Sequence, residues 1–176
     1  RTAAVMLPPS VLAPENTNSY SNPTELAQWK NMYSRDKRIK LFSGFNSHSE
    51  VANLIASSDC GIYPSRAEGW NLELLETMAM NKPVIATNYS AHTEFCTNDN
   101  SFLIPIKETE KAYDGKAFTG QGNWAKFDKA AFDACIDHMR QAYKSNLSSN
   151  EIGRNTAKNY TWANTANEII RCIETL

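Results

Sequence analysis

Residues 60–87 read CGIYPSRAEGWNLELLETMAMNKPVIAT, and the punctuation of this stretch decides the fold. Cys60-Gly61-Ile62-Tyr63 is a short apolar run stopped by Pro64, the pattern of a buried strand. Ser65-Arg66-Ala67-Glu68-Gly69 is a polar turn. Leu72, Leu75, Met78 and Ala79 then recur at helical spacing, predicting a helix that buries this face and stops before Pro83. Val84-Ile85-Ala86-Thr87 is strand-like again. Strand, turn, helix and strand in such quick succession form a βαβ unit, and such units build parallel sheets.

The alternation continues on both sides. Ile39-Lys40-Leu41-Phe42 reads as a strand ended by Gly44, and Ser47 with Glu50 fits a capping box. The helix behind that box has Val51, Leu54 and Ile55 on one face. Phe102-Leu103-Ile104 is a further strand. Near the start, Val5-Met6-Leu7 runs into Pro8-Pro9 like the end of a buried strand, and residues 10–22 read as loop. Asn22-Pro23-Thr24-Glu25 opens a helix carrying Leu26, Trp29 and Tyr33.

From Lys107 to Phe127 the pattern lapses, with Gly115, Gly120 and Gly122 among polar residues. No Gly-Lys-Ser/Thr follows, so this is not a P-loop. The stretch reads as a mobile surface loop, with a functional lid as the other reading. Phe132, Cys135, Ile136, Met139 and Tyr143 define a helix after it. Trp162, Ala166, Ile169, Ile170 and Ile173 define the last of three helical segments with no strand between them. The expected fold class is α/β: a Rossmann-like parallel sheet with helices on both faces and a helical C-terminal tail.

The 176 residues fit one domain, 1–176. A net charge of −1 offers nothing for nucleic acid or an acidic membrane to hold. No apolar run approaches the ~20 residues of a membrane span, and no signal-peptide pattern opens the chain. Cys60, Cys96, Cys135 and Cys172 lack CxxC or Cys/His spacing, so no metal site is expected. They read as four reduced, buried thiols of a cytoplasmic protein. His48, His92 and His138 are scattered, and His138 falls in a helical pattern with a structural role.

The chemistry concentrates between Glu68, in the strand-to-helix turn, and Glu76, about two turns into the helix. At 1.5 Å per residue their backbones lie roughly 12 Å apart, too far to act on one bond together. The separation suits two carboxylates gripping opposite ends of an elongated ligand. Between them the free N–H groups of a helix start, from Gly69 to Leu72, make an anion site. Gly69 has no Cβ, so a phosphate can approach closely. The turn follows the carboxyl end of a strand, where open α/β sheets bind ligands. Taken alone, a Glu-x7-Glu spacing is more often two solvated or helix-dipole-favoured carboxylates than a site.

The surroundings sharpen the reading. Tyr63-Pro64-Ser65-Arg66-Ala67-Glu68-Gly69-Trp70-Asn71-Leu72, then Leu75-Glu76-Thr77-Met78-Ala79, then Lys82-Pro83-Val84-Ile85-Ala86-Thr87 resembles glycosyltransferase family 4, also called group 1. Phe42-Ser43-Gly44-Phe45, Leu54-Ile55-Ala56-Ser57-Ser58-Asp59, Glu94, Phe102-Leu103-Ile104 and Tyr160-Thr161-Trp162 resemble its flanking pieces. The resemblance covers residues 38–106 well and the helical tail loosely.

It implies the C-terminal, donor-binding half of a two-domain GT-B enzyme, inactive alone, that transfers a hexose with retention from a UDP- or GDP-sugar to a glycan, lipid or protein acceptor. Glu68 would contact the donor sugar and stabilise an oxocarbenium-like transition state. Glu76 would bind the ribose hydroxyls, backbone N–H groups of Trp70, Asn71 and Leu72 the diphosphate, and the Gly44-Phe45-Asn46 turn would lie beside the base. No metal or other cofactor is implied. Trp70-Asn71 departs from the family's usual Phe-Gly, and Asn81 stands where Gly is usual. The family's opening strand with its Gly-Arg…Lys-Gly segment has no counterpart here, nor has the N-terminal acceptor domain. The helix from Trp162 is expected to cross to that absent domain with an exposed apolar face. The competing reading is a non-catalytic nucleotide- or sugar-phosphate-binding module.

Overall fold

The computed structural model describes residues 3–6, 31, 36–42, 45–115 and 118–175. The expected loop at 10–22, the helix opening at Asn22 and Gly44 lie outside the described residues. The chain divides into two compact units, Arg1–Leu54 and Ile55–Leu176.

In the first unit, β1 (Ala3–Met6) pairs in parallel with β2 (Ile39–Phe42), Ala3 opposite Ile39. Helix α1 (His48–Ser57) starts there with the expected capping box. The Ser47 hydroxyl accepts the Glu50 N–H at 3.3 Å, and the Glu50 carboxylate reaches back to the N–H of Asn46 at 2.8 Å.

The second unit holds three parallel strands in the order β3 (Gly61–Tyr63), β4 (Val84–Thr87), β5 (Phe102–Ile104). Helix α2 (Leu72–Ala79) connects β3 to β4. Central β4 is buried along its whole length, which is why it reads as unbroken apolar sequence rather than as an alternation. Its side chains still divide between two faces with period two. Val84 and Ala86 pack with Leu74, Leu75 and Met78 of α2 and with Phe95 and Cys96. Ile85 packs with Ile104 and with Ala131 and Cys135 of α3 (Lys129–Lys144). The expected α/β architecture, with helices on both faces of a parallel sheet, is what forms.

Two expectations are corrected. Leu72 and Ala79 are exposed, and the buried face of α2 is Leu74, Leu75, Thr77 and Met78. The helix begins only at Leu72, so that residue stands in its first turn beside the loop, while positions 74, 75 and 78 turn toward β4. Residues 107–127 are not a loop: β6 (Thr109–Tyr113) and β7 (Thr119–Ala125) form an antiparallel hairpin with a register shift between Lys111 and Tyr113. Both strands are mostly exposed, so no apolar period announces them. Gly115 and Gly120 take positive φ values of 75° and 96°, conformations that glycine adopts readily.

Helix α2 ends in a Schellman motif. Asn81 N–H donates to Met78 C=O and Lys82 N–H to Thr77 C=O, with Asn81 in the left-handed region at φ 62°. The asparagine does more than a glycine could. Its amide donates to Glu151 at 2.7 Å and accepts the Asn150 N–H at 2.7 Å, binding the end of α2 to the start of α4 (Glu151–Ala157). Helix α5 (Trp162–Glu174) follows, capped by Thr161, whose hydroxyl accepts the Asn164 N–H. Every described residue of α5 is exposed, and Trp162, Ile169, Ile170 and Ile173 are large apolar side chains among them. The four cysteines are unpaired, but they are not uniformly buried: Cys96 and Cys135 are, Cys60 is half-buried and Cys172 is exposed on α5.

Candidate functional site

Because β3 and β4 are parallel neighbours, their carboxyl ends lie side by side and the loops that leave them meet. The first loop carries Glu68 into α2. The second runs from Thr87 into a 3₁₀ turn, Ser90–Glu94. The Thr87 hydroxyl ties the two by donating to the Ser65 carbonyl at 2.6 Å.

Asn71 is the N-cap of α2 and sits in the left-handed region, φ 72° and ψ 74°. Asparagine tolerates this backbone better than most non-glycine residues and also supplies a capping oxygen. Its Oδ1 accepts the Leu74 N–H at 3.1 Å, and its main-chain carbonyl accepts the Leu75 N–H. The remaining two first-turn donors, the N–H groups of Leu72 and Glu73, meet no acceptor among the described residues. The helix begins at Leu72, with Asn71 as its N-cap, and Gly69 and Trp70 precede it. A Cβ built on Gly69 meets nothing within 4 Å, so this side of the turn is open.

Glu68 is half-buried beside that open turn. Its N–H donates to the Ser90 hydroxyl at 2.9 Å, and Ser90 itself takes a positive φ of 50°. Its carboxylate lies 3.4 Å from the Asn71 side-chain amide nitrogen. Glu76 is exposed on α2, two turns on.

The Trp70 ring packs 5.3 Å from Phe95 and 5.3 Å from Tyr160, in a three-ring cluster that joins the loop to the start of α5. Its side chain is committed to packing. Phe45 and Asn46 belong to the first unit. Phe45 stacks on Phe42, and the Asn46 N–H is held by Glu50.

Three residues that the sequence did not mark stand in this region. His92 is fully buried, with Nε2 2.9 Å from the Asn71 amide and Nδ1 3.0 Å from the Thr87 carbonyl. Burial pushes its pKa below the ordinary histidine value, against the opposing pull of the Thr87 carbonyl and of Glu68. Arg66 donates from Nε to the Ala125 carbonyl at 3.0 Å, pairs with Glu110 and lies 3.9 Å over the Trp124 ring. Together with Trp124 it anchors the hairpin to the loop that carries Glu68. His138, by contrast, is structural as expected: its Nε2 lies 3.0 Å from the Leu103 carbonyl and its ring packs on Phe102.

Residues 19–115, more than half of the chain, match the family model described as glycosyl transferases group 1. An uncharacterized glycosyltransferase of Sulfolobus islandicus rod-shaped virus 1 is 35% identical over 71 residues, 40% of this chain and 21% of that protein. Three solved structures share the fold. Sucrose-phosphate synthase of Thermosynechococcus elongatus superposes with a TM-score of 0.59 at 16% identity, over 89% of this chain and 37% of its own. Anabaena HepE, solved with UDP-glucose, gives 0.54 at 18% identity, over 87% of this chain and 36% of its own. The C-terminal domain of LpcC, a group 1 family protein of Francisella tularensis, gives 0.50 at 21% identity, over 78% of this chain and 60% of its own. The chain belongs to the group 1 glycosyltransferases, and its fold is that of the GT-B enzymes. It spans little more than a third of the length of HepE and of the synthase. Among the described residues, no helix is long and apolar enough to cross a membrane.

Proposed function

We propose that this chain is the donor-binding domain of a retaining hexosyltransferase that uses a UDP- or GDP-sugar. The observation that carries the reading is the start of α2. The Leu72 and Glu73 N–H groups, which meet no acceptor among the described residues, an open turn at Gly69 and a half-buried carboxylate, Glu68, converge at the carboxyl ends of parallel strands. That arrangement suits a sugar diphosphate.

In the reaction the bond from the anomeric carbon to the diphosphate oxygen breaks, a bond to the acceptor hydroxyl oxygen forms, and the hydroxyl proton passes to the departing diphosphate. Negative charge grows on the departing diphosphate, where the N–H groups of Leu72 and Glu73 and the dipole of α2 stabilise it. Positive charge grows on the sugar ring, where the Glu68 carboxylate opposes it. Glu76 takes the ribose hydroxyls at the far end. A glycan, lipid or protein acceptor is held by a further domain that the complete protein supplies. HepE was solved with UDP-glucose, which favours a UDP-sugar as the first donor to try. The test is Glu68→Ala in the complete natural protein: turnover should fall about 10²- to 10³-fold, the scale of losing one transition-state-stabilising group. Unchanged turnover would remove Glu68 from the chemistry.

A further inference from the structure

We infer that His92 is a positioning residue for Glu68, acting through the side-chain amide of Asn71. The inference rests on the donor-domain reading and extends it to residues without a role there.

The argument is one of hydrogen-bond direction. The Thr87 carbonyl can only accept, so His92 Nδ1, 3.0 Å away, carries the ring proton. In the neutral ring Nε2 is then a bare acceptor and needs a donor. Asn71 offers one from Nδ2 at 2.9 Å. That choice leaves the second hydrogen of the same NH₂ group for Glu68 Oε1, and Oδ1 for the Leu74 N–H at 3.1 Å. Turned over, the amide would set its oxygen against the lone pair of Nε2, abandon the cap of α2 and withdraw the donor from Glu68. A fully buried, neutral imidazole thus decides which way Asn71 faces, and Asn71 decides where the Glu68 carboxylate rests. Ser90, two residues before His92, holds the Glu68 main chain from the same 3₁₀ turn. The loop after β4 therefore orients both backbone and carboxylate of a residue on the loop after β3. This accounts for an asparagine at a left-handed position where glycine would serve the backbone alone.

The test is made on the complete natural protein with two His92 variants. His92→Leu fills similar volume with neither nitrogen. His92→Gln restores an acceptor close to the position of Nε2. His92→Leu should lower kcat about 100-fold, the scale of a misplaced reacting group, while nucleotide Kd stays within about twofold. His92→Gln should recover most of that kcat. In a Glu68→Ala background, His92→Leu should cause no further loss, because the group it positions is gone. Should His92→Leu fail to fold by circular dichroism, Asn71→Gly replaces it: glycine keeps the left-handed backbone and should give the same kcat loss and the same lack of additivity. Losses that add in full to Glu68→Ala, or a nucleotide Kd that weakens in step with kcat, would overturn the inference. If Glu68→Ala alone left turnover intact, the role of Glu68 would fail instead, a result distinct from additivity.

Discussion

Helices α2 and α5 both carry an apolar stripe at helical spacing, yet Leu74 and Met78 of α2 are fully buried while every described residue of α5 is exposed. The difference lies in what surrounds each. Helix α2 is enclosed by β4 and by α4, whose Ala157 packs on its cluster. Helix α5 is tied to the second unit at its start, through Tyr160, whose ring packs on Trp70 and Phe95 and whose hydroxyl donates to the Glu94 carbonyl at 3.0 Å. Beyond that it presents Trp162, Ile169, Ile170 and Ile173 outward. An apolar stripe states that a helix has something to bury; the cover is a separate fact.

The sharpest way to break the comparison is truncation on the two stripes. Met78→Ala should destabilise by about 2–5 kcal/mol, because it leaves a cavity in a closed core. Ile169→Ala should stay within about 0.5 kcal/mol when this chain is measured alone. Urea unfolding reads both, and equal effects would mean that α5 is covered in solution. Next, Asn81→Ala should destabilise by about 1–2 kcal/mol, because alanine lacks the short polar side chain that lets asparagine occupy the left-handed region, with loss of the Asn150 and Glu151 contacts added to it. Asn81→Gly should recover the backbone part but not those contacts, a difference that thermal unfolding resolves.

A smaller effect concerns acid. The folded-state pKa of His92 lies below its ordinary 6.5, so the unfolded chain takes up this proton first. The stability that neutral His92 contributes is complete above about pH 6.5 and is lost as the pH falls toward the folded value. Unfolding midpoints of the native chain and of His92→Gln should therefore converge below pH 6.5, and parallel curves would contradict the buried neutral ring. Least in consequence, thiol labelling at neutral pH should mark exposed Cys172 first. Burial pushes Cys60 up to about 12 and Cys96 up to about 11, so their thiolates are scarce. Prompt labelling of Cys96 would show the α2 side of the core opening.

The contrast also explains what the sequence disclosed. The apolar run of Val84-Ile85-Ala86 is legible because full burial demands it, and Pro64 and Pro83 bracket α2 with signals independent of packing. The hairpin at 109–125 was hidden because its stability lies in backbone pairing and in a few anchors, Arg66 over Trp124 among them. Exposure of Leu72 depends on which residue starts the helix, and the Asn71 cap settles that only once its left-handed backbone is seen. His92 carries no motif of its own. Its one signal is topological: it follows the end of β4, the parallel neighbour of the strand that leads to Glu68. Glu68 and Glu76 stand out as candidates from their spacing and surroundings, whereas the hydrogen bonds that Glu68 makes to Ser90 and Asn71 follow no sequence pattern.

The most direct test is a calorimetric titration of the complete natural protein with UDP, GDP and their glucose and mannose conjugates, with Glu76→Ala as control. Saturable binding of one nucleotide, weakened at least about tenfold by Glu76→Ala, roughly 1.4 kcal/mol, is the result expected of a donor site that grips the ribose with that carboxylate. Binding of none of these ligands, or binding indifferent to Glu76→Ala, would contradict the account.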